Sequence, residues 1–421
     1  MQILAATRTP FSKMGTELAP LTAADLGRHA LVSLLAETGV DPGEISEVIV
    51  GCVGQPPDSA NVARIIALRA GIPDHVPAVT VHRNCASGME AITTAAERIA
   101  AGQGDLFVVG GVESMTRIPF FYRDSAVRKF GALARSKSLG QKLGAISKFR
   151  PRDFSPIIGL KLGLTDPYSG LNMGETAEVL AREFGISREQ QDAFAAESHR
   201  KALAAREDLD AEISPVPVNG HAAKSDNGLR EDSTPERLAK LRPVFDRRNG
   251  TVTAGNSSQI TDGAVMLLVA TDEKARALGI PALGELTGWA YTGCDPKRMG
   301  LGPVKAIEAL LKRTGKSLSD ADLIEINEAF AAQVLAVEKA LSDPEAAARA
   351  GLDAPLGTVP RDKLNRWGGS IALGHPVGAT GARLVFTALH QLRKTRGRQA
   401  LAALCVGGGQ GAALWLEAPP N

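Results

Sequence analysis

The stretch Ala78-Val-Thr-Val-His-Arg-Asn-Cys85-Ala-Ser-Gly-Met89, continued by Ile92, Ala96 and Ile99 and then by Leu106-Phe-Val-Val-Gly-Gly111, decides the fold. An apolar, β-branched run predicts a buried strand, and Cys85 falls in the turn that follows. Apolar positions three to four apart predict a helix before the next strand. Near the other end the pattern returns. The turn Gly374-His375-Pro-Val-Gly378 leads into a helix with Leu384, Val385, Ala388 and Leu392, then the strand Ala400-Leu-Ala-Ala-Leu404. A second matched pair lies upstream of each. Leu26, Ala30 and Leu34, a stop at Gly39 and the strand Val48-Ile-Val-Gly51 are echoed by Ile307, Leu310 and Leu311, Gly315 and Leu323-Ile-Glu-Ile326. Two repeats in the same order read as a duplicated α/β domain of βαβ units with mostly buried sheets.

At 421 residues the chain exceeds one hydrophobic core, so two or three units are expected. The rhythm breaks between Thr116 and Asp246, where a basic segment, Gly/Pro-rich turns and a helical pair from Met173 to Arg206 intervene. This reads as an insertion into the first half. The expected division is 1–118 with 247–272, an inserted 119–246, and 273–421.

Hydrophobic residues at 44% and charged residues at 22% are those of a soluble globular protein. A net charge of +2 supplies no global field for nucleic acid. No apolar run approaches a membrane span. The four cysteines show no zinc-type spacing, so no metal is expected, and they are too few for a disulfide scaffold. A reduced, cytoplasmic setting is expected. Strand-like sequence from Ile3 and the ending Ala418-Pro-Pro-Asn421 suggest neither a leader nor a targeting tripeptide.

Cys85 opens a helix, where free N–H groups and the dipole favour a thiolate, so its pKa is expected to be lowered. A buried structural cysteine is the alternative. His375 occupies the matching turn of the second half, where it could take a thiol proton, or simply cap a helix. Cys405, in Cys-Val-Gly-Gly-Gly-Gln-Gly411, ends a strand before three glycines whose N–H groups could approach a ligand; a hairpin turn is the alternative. Asn327 follows a strand and could orient a water or carbonyl, or cap a helix. Four such residues at predicted element ends, three of them in glycine-rich turns, together point to chemistry. Cys52 and Cys294 read as structural.

These motifs resemble those of the thiolase family. The likeness runs from Arg8-Thr-Pro-Phe11 through Gly110-Gly-Val-Glu-Ser-Met115, Lys240-Leu-Arg-Pro-Val-Phe245, Gly255-Asn-Ser-Ser-Gln-Ile-Thr-Asp-Gly-Ala264, Asn327-Glu-Ala-Phe330 and Gly374-His-Pro376 to Cys405-Val-Gly-Gly-Gly409. The resemblance implies an α/β thiolase fold: two βαβαβαββ halves in five layers (α/β/α/β/α) with an inserted loop domain. It implies that Cys85 is the acylated nucleophile, His375 its activating partner and Cys405 the acid/base at the α-carbon. His375 with a water on Asn327 would form one oxyanion hole, and the N–H groups of Cys85 and Gly407 the other. Ser258, Met173 and Arg230 would border coenzyme A, a substrate and not a tightly bound cofactor. A homodimer or dimer of dimers is implied.

The nearest branch in appearance holds the β-subunits of fatty-acid-oxidation complexes, which implies 3-ketoacyl-CoA cleavage and a hydratase/dehydrogenase α-subunit partner. The biosynthetic condensation of two acetyl-CoA is the alternative. A ketosynthase-type condensing enzyme fits less well, because Cys405 stands where that class carries His or Asn. A non-catalytic lipid-binding scaffold fits least, because all four site residues are kept. Two departures bear on substrate. Asn327 stands where the β-subunit branch often has histidine, and Asn172 where short-chain biosynthetic members carry one. Between Arg117 and Arg152 the chain holds ten basic residues and one acidic. There Leu139, Leu143 and Ile146 share a helical face, so 136–150 could touch a membrane, dock a partner or cover the active-site mouth.

Overall fold

The computed structural model describes residues 1–419; Pro420 and Asn421, the end of the C-terminal segment read above, lie outside the described residues. In the first half β1 (Gln2–Arg8), α1 (Ala23–Thr38), β2 (Glu47–Gly51), α2 (Val62–Arg69), β3 (Ala78–Val81), α3 (Ser87–Ala100) and β4 (Leu106–Ser114) precede the insertion, and β5 (Thr261–Ala270) follows it. The insertion holds α4 (Asp124–Arg135), α5 (Leu139–Ile146), α6 (Met173–Glu183) and α7 (Arg188–Ala204). The second half consists of β6 (Gly284–Gly293), α8 (Gly302–Thr314), β7 (Leu323–Ile326), α9 (Ala331–Ser342), α10 (Val377–Thr395), β8 (Gln399–Val406) and β9 (Gln410–Glu417).

The paired helices α1 and α8 stop in the same way. Gly39 (φ +65°) and Gly315 (φ +68°) take the left-handed conformation that closes a helix, as the matched glycines predict. The first sheet runs β3-β2-β4-β5-β1 and the second β7-β8-β9-β6. Strands β3, β2 and β4 are parallel, as are β7 and β8; the remaining pairs are antiparallel. The sheets join at a two-residue seam, Gln2 to Glu285 and Ile3 to Gly284.

Three apolar clusters define five layers. Helices α1 and α2 cover the outer face of the first sheet through Leu26, Leu31, Leu34 and Ile66. Helices α3 and α10 fill the space between the sheets, touching Val109 and Leu267 on one side and Leu404 and Leu414 on the other. Helices α8 and α9 cover the outer face of the second sheet. The middle layer brings Cys85, ahead of α3, and His375, ahead of α10, into one junction.

The halves are not complete copies. The second-half counterpart of β3 is reduced to one bridge, Leu364 beside Ile324. Its place is taken by Asn365, whose side chain bonds both the N–H and the carbonyl of Ile326. The turn carrying His375 therefore follows a four-residue helix, Ser370–Leu373, and not a strand as the repeat predicts.

The insertion also divides its packing. Ala177, Leu180, Phe184 and Phe194 of α6 and α7 belong to the second half's outer core. Helices α4 and α5 bury only Ala126 and Ala145.

Candidate active site

Strand β7 ends at Ile326, and the next helix starts only at Ala331 with Phe330 at its cap, so Asn327 is not a capping residue. Its N–H donates to Ala403 O, fixing it beside β8, and its Oδ1 accepts from Ser370 Oγ at 2.6 Å. That acceptor bond turns the amide nitrogen toward His375, 3.5 Å from Nε2.

The His375 ring is buried and held at both ends. Thr380 Oγ1 donates to Pro376 O at 3.0 Å, so it accepts from His375 Nδ1–H at 2.7 Å. Nε2 keeps its lone pair, with the Asn327 amide nitrogen 3.5 Å away. Burial, helped by the Arg383 charge, pushes the imidazole down to about 3, so it is neutral at physiological pH. The Gln259 carbonyl accepts from the His375 N–H, and the neighbouring Ser258 N–H donates to Ala329 O. Ser258 thus lies on the strip joining the two turns.

Cys85 is half-buried two residues ahead of α3. Its pKa is raised and not lowered as the sequence predicts. Burial outweighs the hydrogen bonds that its own N–H and that of Gly407 give the thiolate. Cys85 therefore rests as a thiol.

Cys405 is the penultimate residue of β8 and is fully buried. Burial and the nearby Cys85 push its pKa well above the ordinary thiol range, so it too rests protonated. The Gly407–Gly409 turn closes the β8–β9 hairpin, with Gly408 (φ +88°) and Gly409 (φ +82°) in the left-handed region. A Cβ on Gly409 would lie 2.4 Å from Cys294 O. Cys294 itself is pushed up to about 11, chiefly by burial.

Met173 reaches the same turn, its Sδ 3.4 Å from the position a Gly407 Cβ would take. Asn172, read above through a family comparison, caps α6 by accepting from the Glu175 N–H. Arg230 is not gathered to the sulfur cluster. Its N–H donates to His199 Nδ1, and its charge, after burial, holds the Lys13 ammonium below its usual pKa. Among the described residues neither cation has a carboxylate partner.

Four residues here escape sequence reasoning: Thr380, Ser370, Asn84 and Glu113. Asn84 takes φ +42° and donates from Nδ2 to Gly407 O at 2.7 Å, tying the Cys85 turn to the glycine turn of the other half. Glu113 is a buried carboxylate accepting from the N–H groups of Val53, Gly54 and Gly378, and burial pushes it up to about 7. Among the described residues no group of three His, Cys, Asp or Glu side chains is placed to hold a metal ion.

Two thiols and a neutral imidazole, drawn from both halves of a duplicated sheet protein, are accompanied by family matches over nearly the whole chain. The thiolase N-terminal domain matches residues 1–273 and the thiolase C-terminal domain residues 280–418. The chain belongs to the thiolase family. It is therefore an acyltransferase with the thiolase fold. Among curated relatives this thiolase is 41% identical to a probable acetyl-CoA acyltransferase of Staphylococcus aureus (strain COL), over 97% of this chain and 96% of that one. Among solved structures it resembles the Bacillus anthracis acetyl-CoA acetyltransferase, with TM-score 0.86, 38% identity and coverage of 99% and 98%. It also resembles human mitochondrial 3-ketoacyl-CoA thiolase in complex with CoA, with TM-score 0.85, 37% identity and coverage of 99% and 98%.

Proposed function

We propose that this thiolase cleaves 3-ketoacyl-CoA with coenzyme A, giving acetyl-CoA and a shortened acyl-CoA, in fatty-acid β-oxidation. The observation that carries the reading is a half-buried thiol, Cys85, near a second protonated thiol, Cys405, with a neutral His375 at the matching turn of the other half.

Cys85 Sγ attacks the 3-keto carbonyl as its proton passes to His375 Nε2. The oxyanion faces the N–H groups of Cys85 and Gly407. The C2–C3 bond then breaks, and its electron pair becomes the enolate of acetyl-CoA. That enolate's thioester oxygen is met by the imidazolium N–H and a water on Asn327. Cys405 gives its proton to the enolate carbon, and acetyl-CoA leaves. Next, the Cys405 thiolate takes the proton of an incoming coenzyme A thiol, whose sulfur attacks the acyl-Cys85 thioester. The departing Cys85 thiolate recovers its proton from His375. Dividing one hard displacement into two is the gain of the covalent route.

Ser258 and Met173 border the pantetheine arm in this reading, and the unpaired Arg230 and Lys13 suit the nucleotide phosphates. The four free cysteines fit a reduced cytoplasm. A homodimer or dimer of dimers, with a hydratase/dehydrogenase α-subunit as partner, completes the proposal.

The biosynthetic reading, condensation of two acetyl-CoA, is favoured by Asn327 in place of histidine. Initial rates of CoA-dependent loss of enolate absorbance from acetoacetyl-CoA and 3-ketohexadecanoyl-CoA separate the two. Preference for the long substrate supports β-oxidation. Preference for acetoacetyl-CoA assigns a short-chain enzyme.

A further inference from the structure

Glu113 is a fully buried carboxylate that none of the proposed steps uses. It stands next to last in β4, in the first half. Its Oε1 accepts from the Gly54 N–H at 2.8 Å, and its Oε2 from the N–H groups of Val53 at 3.1 Å and Gly378 at 3.0 Å. The fully buried ion pairs among the described residues use Glu212, Asp226 and Glu325 instead. Backbone N–H groups, not a cation, therefore balance the Glu113 charge.

The bond from Gly378 crosses into the second half. Helix α10 begins at Val377 with Pro376 at its cap, and no side chain at that position closes its end. Gly378 is the second residue of the helix, so Glu113 caps it from the opposite half, where the helix dipole favours negative charge. The approach is close: a Cβ on Gly378 would lie 3.0 Å from Glu113 Oε2 and 2.4 Å from Val112 O. His375 precedes Gly378 by three residues, and Thr380, which holds the ring at Nδ1, follows by two. The imidazole and its anchor thus share the turn that Glu113 grips. The same carboxylate acts on the first half's site. After burial, its charge helps to raise the Cys85 pKa, and Cys52 Sγ lies 3.9 Å from Oε1.

We propose that Glu113 is a positioning residue for acyl transfer, capping α10 from the opposite half and so setting the His375 imidazole against Cys85. This role rests on the proton transfer from Cys85 to His375 described under the proposed function. Both lone pairs of Oε2 are engaged, so a proton goes to Oε1, and the charge that favours the Gly378 N–H and the helix end is lost. Burial pushes Glu113 up to about 7, so the cap weakens as pH falls through neutrality. Around it stand Cys52 after β2, Cys85 before α3, Asp262 on β5 and His375 before α10. Burial raises Cys52, Cys85 and Asp262, which keeps both thiols protonated in this range, and His375, at about 3, stays neutral.

The test is CoA-dependent thiolysis by the full chain from pH 5.5 to 8.5, on the better of acetoacetyl-CoA and 3-ketohexadecanoyl-CoA, for the wild type and Glu113→Gln. Wild-type kcat should fall as pH drops through about 7. Glu113→Gln should lack that limb, with kcat roughly 10²-fold below wild type at pH 8, the scale of a misplaced group, and KM within about two-fold. Alkylation of Cys85 by iodoacetamide should be no slower in the variant, because the charge opposing the thiolate is gone. Wild-type kcat that stays level from pH 8 to 6, or a variant with wild-type kcat, overturns the proposal and leaves the roles of Cys85 and His375 standing. Slower alkylation in the variant also overturns it, since the Cys85 turn itself would then be lost. A wild type that cleaves neither substrate overturns the proposed function, and this role with it.

Discussion

At Cys85 two effects oppose each other, and burial wins over the N–H groups aimed at the sulfur. In the proposed reaction the proton then leaves as the carbon–sulfur bond forms, toward an imidazole held at about 3. Inactivation by iodoacetamide should climb past pH 9 with no plateau near neutrality; a plateau below pH 7 would indicate a resting thiolate–imidazolium pair. Thr380→Val removes the acceptor that fixes the Nδ1–H tautomer, and kcat should fall roughly 10²-fold with KM little changed, the scale of a misplaced general base. Asn84→Ala should lower kcat about ten-fold through a displaced Gly407 amide. Asn84→Gly relieves the positive φ without restoring the bond, so equal loss in both variants identifies the hydrogen bond as the cause. The candidates Cys85, His375 and Cys405 were legible because each stands in a glycine-bearing turn at an element end, and Asn327 because it directly follows an apolar strand. Thr380 and Ser370 were not, since a hydroxyl in the first turn of a helix looks like any capping residue until the ring or amide it holds is located. The thiol's pKa was misread because a helix start is visible in sequence, while the burial opposing it is not.

Among the elements, α10 is buried along most of its length between the sheets, and it reaches that depth because glycines line its crossings. A Cβ on Gly111 would lie 2.0 Å from Gly378 O, and one on Gly88 2.6 Å from the Ala382 N. Neither obstacle is a flexible side chain. Gly111→Ala should therefore cost about 1–3 kcal/mol, the range for overpacking, read as a lower urea midpoint with an unchanged slope. An unaltered midpoint would mean that the layers separate freely. The duplication was readable because apolar spacing repeats along with the glycine stops. The lost third strand of the second half was not, because the Asn365 side chain supplies the hydrogen bonds that a neighbouring strand would give. Such a replacement leaves no periodic trace.

Across the whole molecule, the insertion is fastened to the first strand by a buried ion network. Arg8 meets Glu212 at 2.8 Å and Asp226 at 2.8 Å, all three away from solvent. Asp226→Ala leaves the guanidinium half-paired and should cost about 3–5 kcal/mol by urea unfolding, the cost of breaking a buried pair. His199 is pushed down to about 4, chiefly by burial. Its folded pKa lies below the unfolded value, so its contribution is intact above pH 6.5 and is lost as pH falls toward 4. His199→Gln should lose less Tm than wild type between pH 6.5 and 4; parallel curves would contradict this. Sequence order placed the insertion within the first half but could not show α6 and α7 joining the second half's core, since contacts between distant segments have no local signature. The central claim is that Cys85 carries the acyl group between two substrates. Mass spectrometry of the protein after acetoacetyl-CoA without free coenzyme A tests it most directly. An acetyl group on the Cys85 peptide, absent in Cys85→Ala and removed by added coenzyme A, is the predicted result; an acetyl group on Cys405, or an unmodified protein that still turns over, would contradict it.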